Sequence, residues 1–441
     1  MKKNKYAVYF IVLGLISLIV SAFIGVMASL QYLFPELLKD NLHFAKLRPM
    51  HVISSVSWIV LTAMGSIYFY LIYEEKIKLF ADKLAAVHFY LFLLTGLSIY
   101  ASILVGKIGG REFFVFAPIL MIPILIGWIL FGINYFKSVR EKVKNWPVYY
   151  WMWGTGIVFM VFHLSEAHFW LIPSFRENYI RDLVIQWKSV GSFVGSWNQL
   201  VYGISIYLIA KIKGDEKLAR GKLVFFFYFL GLTNLMFGWA HHTYIIPSQP
   251  WVRIVAYAIS MTEWIILFRI IYGFIKSLPL EKRKDNTWAY RFLIAADVWV
   301  FLNLFLALLI SIPAINFYTH GTHITVAHTM GTMIGINSMI LMASVWYIIS
   351  KLEMKNKLSK WIVIGYKTIN ISLLFFLITL VIAGIQRSRW MYNNQGESFT
   401  QMQKGLKIVY AHMVSMGFVV FVGLLLIILP ALYILLRYTR R

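Results

Sequence analysis

The sequence predicts an all-α integral membrane protein of twelve transmembrane helices, and three observations support this fold class. Hydrophobic residues make up 60% of the 441 residues, charged residues make up only 14%, and the mean hydropathy is +0.71. Soluble domains have far lower hydrophobic and far higher charged fractions. Apolar runs of about 20 residues, the length of a helix that crosses a bilayer, recur with short connections. We therefore interpret residues 1–441 as a single membrane domain.

The apolar runs follow one another along the whole chain, without a soluble domain or an internal repeat. The first run follows the basic segment MKKNK, but it is longer than the apolar part of a signal peptide and no small-residue cleavage site follows it. We therefore expect this first helix to be retained. The predicted helices cover residues 7–29, 49–73, 84–106, 113–136, 147–172, 184–210, 223–247, 251–275, 290–313, 322–350, 361–386 and 407–436.

The net charge of +24 indicates the topology of the chain in the membrane. Lys and Arg concentrate in alternate connections, such as the one with Lys76, Lys78 and Lys83, whereas residues 314–321 carry neither. Positive residues accumulate on the cytoplasmic side of membrane proteins. We expect a multi-pass protein of a prokaryotic plasma membrane, surrounded by lipid, with both termini in the cytoplasm. Because topology accounts for the charge, we expect no nucleic-acid partner.

The chain contains no cysteine. Disulfides, Fe–S ligation, a thiolate-bound copper centre and covalently attached c-type haem are therefore excluded for this chain. Any electron-entry centre of these kinds must lie on another subunit or domain.

A histidine pair, His241 and His242, lies in the otherwise apolar segment FGWAHHTYIIP. Imidazole nitrogens without partners are costly in hydrocarbon. Imidazole is also the commonest protein ligand for iron, copper and zinc. A single histidine at this position could instead be a hydrogen-bonded core residue. A doublet, with further histidines at matching depth, favours a metal site.

The predicted topology places nearly all intramembrane histidines in the outer half of the membrane, and only His88 lies near the inner face. Helices that present histidines at one depth are typical of haem proteins, where iron takes axial imidazoles from facing helices. The aromatic content of 17% is compatible with porphyrin contacts, although interfacial aromatic belts explain most of it. The outer histidines are His51, His163, His168, His241, His242, His328 and His412, with His320 and His323 at the outer mouth of 322–350.

Four segments, in order along the chain, carry a resemblance to a known family. They are residues 48–51 (RPMH), 240–244 (AHHTY), 259–263 (ISMTE) and 313–335. With these motifs the chain resembles the catalytic subunit, subunit I, of the haem–copper oxidase superfamily, and specifically the nitric oxide reductase large-subunit branch. The resemblance covers nearly the whole chain and implies the twelve-helix subunit I bundle.

The resemblance implies a role for each matching residue. His51 would bind a low-spin haem b, and His328 would bind a high-spin, b3-like haem. His241 and His242 would bind the second metal, a non-haem iron in the reductases and copper in the oxidases. Glu263 would lie near this binuclear centre and neutralise charge or pass protons.

One departure from the family concerns the low-spin haem. Where the family has a His-x-His pair, this chain reads His328-Thr329-Met330. A thioether binds haem iron, and His/Met ligation raises the reduction potential. We therefore predict a low-spin haem b held by His51 and Met330. The alternative is that Met330 only fills space and the haem is five-coordinate or absent.

A second departure concerns the second metal. Gly191 and Gly195 stand where the family has a His and a Glu ligand. We predict that the space beside these glycines admits His163, Glu166 or both from the helix 147–172. These two side chains are three positions apart and share a helical face, and such pairs suit non-haem iron in helical bundles. The alternative is a polar cluster of His168 and Glu166 near the outer interface.

The expected direction of proton supply follows from the carboxylates. The inner halves of the predicted helices hold almost none, with Asp297 as the exception. We therefore expect no proton-pumping channel of the familiar kind and expect protons to arrive from the outer side, past Glu166 or Glu263.

The resemblance implies a respiratory nitric oxide reductase, in which two NO, two electrons and two protons give N2O and water. Electrons would come from a subunit or domain of the cytochrome c or copper-centre type, or from a quinol. The alternatives are a cbb3-like terminal O2 reductase (cytochrome c oxidase subunit I), an NO dismutase and a non-catalytic membrane haem protein. A transporter is less favoured, because the histidines match haem positions better than a substrate path.

Overall fold

The computed structural model describes residues 5–141, 146–261, 286–352, 359–393 and 396–440. Most of the described residues are helical, and residues 250–261 form a helical stretch at the edge of one range. The labelled helices are α1 (Tyr6–Leu30), α2 (Phe44–Phe69), α3 (Asp82–Leu104), α4 (Met121–Val139), α5 (Val148–Glu166), α6 (Pro173–Arg176), α7 (Tyr179–Lys213), α8 (Lys222–Phe237), α9 (Thr287–Ser311), α10 (Pro313–Thr319), α11 (His323–Met330), α12 (Met339–Lys351), α13 (Ser359–Asn393), α14 (Phe399–Gly405) and α15 (Lys407–Arg440).

Two π-helical stretches alter the regular α-helical path. Tyr70–Glu74 continues α2 at its end, and Gly331–Ser338 joins α11 to α12. A 3-10 turn, Gly238–Thr243, continues α8. Short π-helical turns inside α-helices are rare and are frequently found at functional sites. The remaining 3-10 turns are Pro118–Leu120, Phe169–Leu171 and Leu218–Arg220.

A short antiparallel hairpin lies between α3 and α4. Its strands are β1 (Ile108–Arg111) and β2 (Phe114–Phe116), with Ile108 opposite Phe116. Phe113 turns the chain with a positive φ of 63°. The helix predicted at 113–136 therefore begins later, at Met121, because a strand and a proline-led turn occupy its first residues.

The prediction of an all-helical membrane bundle is confirmed. Within the described ranges, nine helices are long and apolar enough to cross a membrane. Of the remaining predicted spans, 147–172 contains α5, and 184–210 lies within the longer helix α7. Most of the span 251–275 falls on residues that the structure does not describe. The predicted twelve spans are consistent with this arrangement.

The centre of the bundle is formed by two helical units that carry site candidates. In the span Phe44–Glu74, which includes α2, 78% of the apolar window is buried, and in His323–Lys351 the share is 83%. In α3 the share is only 22%, and its Leu94 and Leu97 are each 61% exposed, as expected for side chains that face lipid. The helices with His51 and His328 are therefore the most enclosed of these nine described spans.

Candidate functional site

His51 lies on α2 and is oriented by α1. Its Nδ1 lies 2.8 Å from the carbonyl oxygen of Ser21, which only accepts hydrogen bonds, so Nδ1 carries the proton. The other ring nitrogen, Nε2, then has a free lone pair. This arrangement, in which one nitrogen donates to a carbonyl and the other is available, is typical of metal-ligating histidines. The geometry therefore suits the haem-ligand role that the resemblance implies.

His241 and His242 lie in the 3-10 turn that follows α8. Their ring centroids are 4.2 Å apart, and the ring of His242 stacks on Trp187 of α7 at 4.8 Å with an interplanar angle of 8°. The Nδ1 atoms of both histidines are buried and have no hydrogen-bond partner among the described residues. Trp187 thus fixes the plane of one imidazole, while the nitrogens of the pair remain available to a ligand.

The structure adds His320 to this pair. The His320 ring makes edge contacts with His242 at 5.9 Å and with Trp187 at 5.7 Å. Asn316 of α10 donates to the carbonyl of His241 at 3.2 Å and to the carbonyl of Ile310 at 2.8 Å, and so ties this segment to the pair. Burial lowers the pKa of the His320 imidazole, which favours the neutral ring that binds metals.

Sequence reasoning noted His320 among the outer histidines but did not predict it as a ligand. One sequence feature could have indicated this role: His320 lies in residues 313–335, the long segment that carries the resemblance. In the described part of the chain, no three His, Asp, Glu or Cys side chains already converge as a ready-made metal cage. His320 therefore lies beside the pair without completing such a cage in the described arrangement.

His328 and Met330 lie at the end of α11, immediately before the π-helical stretch. Nδ1 of His328 is buried and unpartnered within the described ranges. Met330 is half-buried and packs against the main hydrophobic core. Packing of this kind is compatible with either role of the thioether, so haem ligation by Met330 stays a prediction.

Gly191 and Gly195 allow α8 and the histidine turn to approach α7 closely. A Cβ atom on Gly191 would lie 2.5 Å from Cβ of Trp239, and one on Gly195 would lie 2.8 Å from Cγ of Leu235. The expectation that these glycines open space for other side chains is therefore wrong, because Trp239 and Leu235 fill that space. The glycines instead bring the segment with the histidine pair against α7.

His163 and Glu166 pair with each other at the end of α5. Nδ1 of His163 lies 3.0 Å from Oε2 of Glu166, and the other carboxylate oxygen accepts from Nζ of Lys188. No hydrogen bond or ring contact joins His163 to His241 or His242 within the described residues. However, Nε2 of His163 is buried and unpartnered there. The ligand role of these two residues stays a prediction.

His168 does not join this pair. Its Nδ1 bonds to the backbone oxygen of Leu164 at 3.0 Å, and it contacts the ring of Phe114. The polar cluster at this end of α5 therefore consists of His163, Glu166 and Lys188. The predicted site residue Glu263 lies outside the described residues.

The donor set of the site fits haem iron and a second transition metal. Buried polar atoms without partners cost free energy, and native proteins rarely keep them unless something binds there. Three such nitrogens belong to His241, His242 and His328. Neutral imidazoles suit both haem iron and a borderline metal such as non-haem iron or copper.

A helical membrane bundle with buried, unpartnered imidazoles is the arrangement expected of a membrane protein that binds haem or another transition metal. The family described as cytochrome c and quinol oxidase polypeptide I matches residues 5–420. The chain therefore belongs to this family, that of haem–copper oxidase subunit I. Its members are multi-pass membrane proteins that bind haems and a second metal.

Curated relatives fall in two branches of this family. The chain is 23% identical to a nitric oxide reductase subunit of Stutzerimonas stutzeri over 409 residues, covering 85% of this chain and 82% of that protein. It is 21% identical to a cytochrome c oxidase subunit 1 homolog of Agrobacterium tumefaciens (strain T37) over 399 residues, covering 86% of this chain and 73% of that protein.

The fold also matches a solved structure. A haem–copper terminal oxidase dimer, determined by cryo-electron microscopy, aligns with a TM-score of 0.78 at 13% identity. The alignment covers 99% of this chain and 84% of that chain. At this identity the match confirms the subunit I fold.

Proposed function

We propose that the chain is the catalytic subunit of a respiratory nitric oxide reductase. The observation that carries the proposal is the His241-His242 pair, with its buried unpartnered nitrogens, set against the stretch of α7 around Gly191 and Gly195. The relative in the nitric oxide reductase branch supports it. Residues 190–199 of α7 contain no tyrosine, and the chain has no clear match to the redox-active tyrosine positions of the oxidases.

In this proposal His328 would hold a high-spin, b3-like haem, and His241 and His242 would hold a non-haem iron. His51 and Met330 would hold a low-spin haem b. When bound, these groups would supply coordination positions for NO and the electrons that reduce it. Two NO, two electrons and two protons give N2O and water, so one N–N bond forms and one N–O bond breaks. Bringing two NO molecules together provides much of the rate enhancement.

The residues around the pair position it. Stacking on Trp187 fixes the ring plane of His242, and the bond from Asn316 fixes the backbone at His241. Trp239 closes the space next to Gly191. These contacts hold the imidazoles before a metal binds, which reduces the cost of organising the site.

The second metal needs a third protein ligand in this proposal, because α7 offers none at Gly191 or Gly195. His320 and His163 are the two candidates, with Glu166 as a carboxylate alternative. His320 is favoured because its ring already contacts His242, whereas the carboxylate of Glu166 is engaged by Lys188. Glu263 keeps its proposed role of neutralising charge or passing protons, together with Glu166.

The electrons come from outside this chain in the proposal, since its sequence lacks cysteine for c-type haem or a copper–thiolate centre. The donor is a cytochrome c or copper-centre subunit or domain, or a quinol.

Metal and haem stoichiometry of the purified protein, with NO and O2 turnover, tests the proposal. Two haems, one additional iron and conversion of NO to N2O are the expected result. One haem without a second metal would contradict it and favour a non-catalytic haem protein. Release of O2 from NO would favour an NO dismutase.

A terminal O2 reductase of the cbb3-like type is the second candidate. The cytochrome c oxidase subunit 1 homolog, with similar coverage of this chain, favours it. Copper in place of the additional iron, together with O2 consumption, would favour this alternative.

A further inference from the structure

The hairpin between α3 and α4 joins two helices that carry residues of the candidate site. Its consecutive residues Arg111 and Glu112 form ion pairs with different helices. Arg111 pairs with Asp182 of α7, and Glu112 pairs with Arg48 of α2. The predicted helices left residues 107–112 in a connection, so this pair of contacts comes from the tertiary structure.

The contact with α7 is the stronger of the two. The two terminal nitrogens of Arg111 each lie 2.9 Å from a different carboxylate oxygen of Asp182. The guanidinium also donates to the amide oxygen of Gln186 at 3.2 Å, and it lies 4.8 Å from the ring centroid of Trp170. The side chains of Arg111 and Asp182 are only 20% and 17% exposed. A two-point contact between Arg and a carboxylate fixes direction as well as distance, so the outer end of α7 has a defined position on the hairpin.

The contact with α2 is shorter but more exposed. Nη2 of Arg48 lies 2.6 Å from Oε1 of Glu112, and the two side chains are 48% and 28% exposed. Ion pairs exposed to this extent are weakened by solvent and by salt. We therefore expect this contact to respond to ionic strength more than the contact with α7 does.

The turn between the strands is held against α7. Phe113 has a φ of 63°, a left-handed backbone that is costly for a residue with a side chain. Such a conformation persists only where the surrounding structure holds it. The rings of Phe113 and Phe114 contact the ring of Phe193 on α7, with centroids 6.5 and 5.4 Å apart. Glu112 therefore reaches α2 from a turn that is itself fixed on α7.

Both contacts lie close along their helices to residues of the candidate site. Gln186 directly precedes Trp187, whose ring stacks on the imidazole of His242. Arg48 precedes His51 by three residues, which is about one helical turn. Backbone hydrogen bonds make a helix stiff over one turn, so a displacement at Gln186 or Arg48 also displaces the neighbouring ring.

We propose that Arg111 and Glu112 form a clasp that fixes the separation of α2 and α7 and so positions the ring of His242 relative to His51. Both are positioning residues, because their printed contacts are with Arg48, Asp182 and Gln186 and not with the imidazoles. The inference rests on the proposed function for the metals that His242 and His51 would bind. The separation of the two helices can be measured without it.

Distances between spin labels test the clasp directly. The chain has no cysteine, so cysteines introduced at the exposed residues Ala45 of α2 and Tyr179 of α7 are the only sites for nitroxide labels. Double electron–electron resonance on the labelled full-length protein gives the distribution of distances between the two helices. We expect Arg111→Gln to broaden this distribution, and Arg111→Lys to broaden it as well, because an ammonium group cannot form the two-point contact.

Arg181→Gln is the matched control for the loss of a positive charge on this side of the bundle. Arg181 also lies at the start of α7, but its guanidinium donates to the backbone oxygen of Ser174 and not to the hairpin. The distribution should stay unchanged in this variant. Glu112→Gln should broaden it less than Arg111→Gln does, and high salt should reproduce the effect of Glu112→Gln only.

Binding of Co²⁺ to metal-depleted protein provides the second readout. Arg111→Gln should lower the affinity by about tenfold, the lower range for loss of residues that support metal ligands, and Arg181→Gln should not. A lower melting temperature of Arg111→Gln with unchanged distances and unchanged Co²⁺ affinity would show a purely structural hairpin and overturn the proposal. Broader distances with unchanged Co²⁺ affinity would overturn it as well. Absence of Co²⁺ binding in the unmodified protein would contradict the proposed function, while the label distances would still decide whether the clasp fixes the helices.

Discussion

The histidine region around His241 and His242 and the end of α2 that carries Glu74 and Glu75 are organised in opposite ways. Around His241 and His242 the backbone is a 3-10 turn, and buried nitrogens lack partners among the described residues. At Glu74 and Glu75 most polar groups are paired, through Tyr347, Tyr207 and two lysines. Unpartnered imidazole nitrogens suit a region that binds added groups, whereas paired hydroxyls and carboxylates suit a region that holds its own structure.

The largest expected effect is on the histidine region. His328→Ala should remove the high-spin haem and reduce turnover by more than about 1,000-fold, because the reacting centre loses its anchor. Haem content by the pyridine haemochrome assay measures the loss. His412→Ala, at an exposed position on α15, is the control and should retain both haems. Full haem content in His328→Ala would contradict the assignment.

The third ligand of the second metal is tested by a pair of variants. His320→Ala should lower the affinity for the non-haem metal by about 100-fold, the upper range for removal of groups that support a metal site, while His163→Ala should retain the metal. Elemental analysis and Co²⁺ absorption spectra of metal-depleted protein provide the measurement. The reverse result would return the role to His163 and the helix α5.

The low-spin haem is expected to respond to Met330. Met330→His should lower its reduction potential by an amount on the order of 100 mV, since axial ligands set haem potentials over a wide range. Redox titration followed at the haem absorption bands gives the value. Bis-histidine spectra already present in the unmodified protein would show that Met330 is not a ligand.

Of the four predictions, the substitution of Gly191, which lies in close contact with Trp239, should have the smallest effect. Gly191→Ala places a Cβ 2.5 Å from Trp239 and should destabilise the fold by about 1–3 kcal/mol through overpacking. It should also weaken metal binding at the neighbouring pair. Gly96→Ala on α3, where a Cβ meets nothing within 4 Å, is the matched control and should leave the melting temperature unchanged. Equal melting temperatures of the two variants would argue against the tight packing.

The sequence by itself determined the class of the protein and the order of its helices. Hydropathy acts locally, because each span must cover the thickness of the bilayer with its own apolar residues. Because they lie within apolar spans, His51, His241, His242 and His328 were recognisable from the sequence as candidate ligands. The family resemblance, confirmed by the match over residues 5–420, added the roles that these residues are expected to have.

Only the tertiary structure decided which side chains meet. Gly191 and Gly195 suggested open space in the sequence, but α8 packs into it. His320 was one outer histidine among several until α10 brought its ring to His242. Glu74 and Glu75 belonged to a connection until a π-helical turn enclosed them. Contacts of this kind depend on helix rotation and approach distance, which arise from packing between distant segments and leave no periodic trace along the chain.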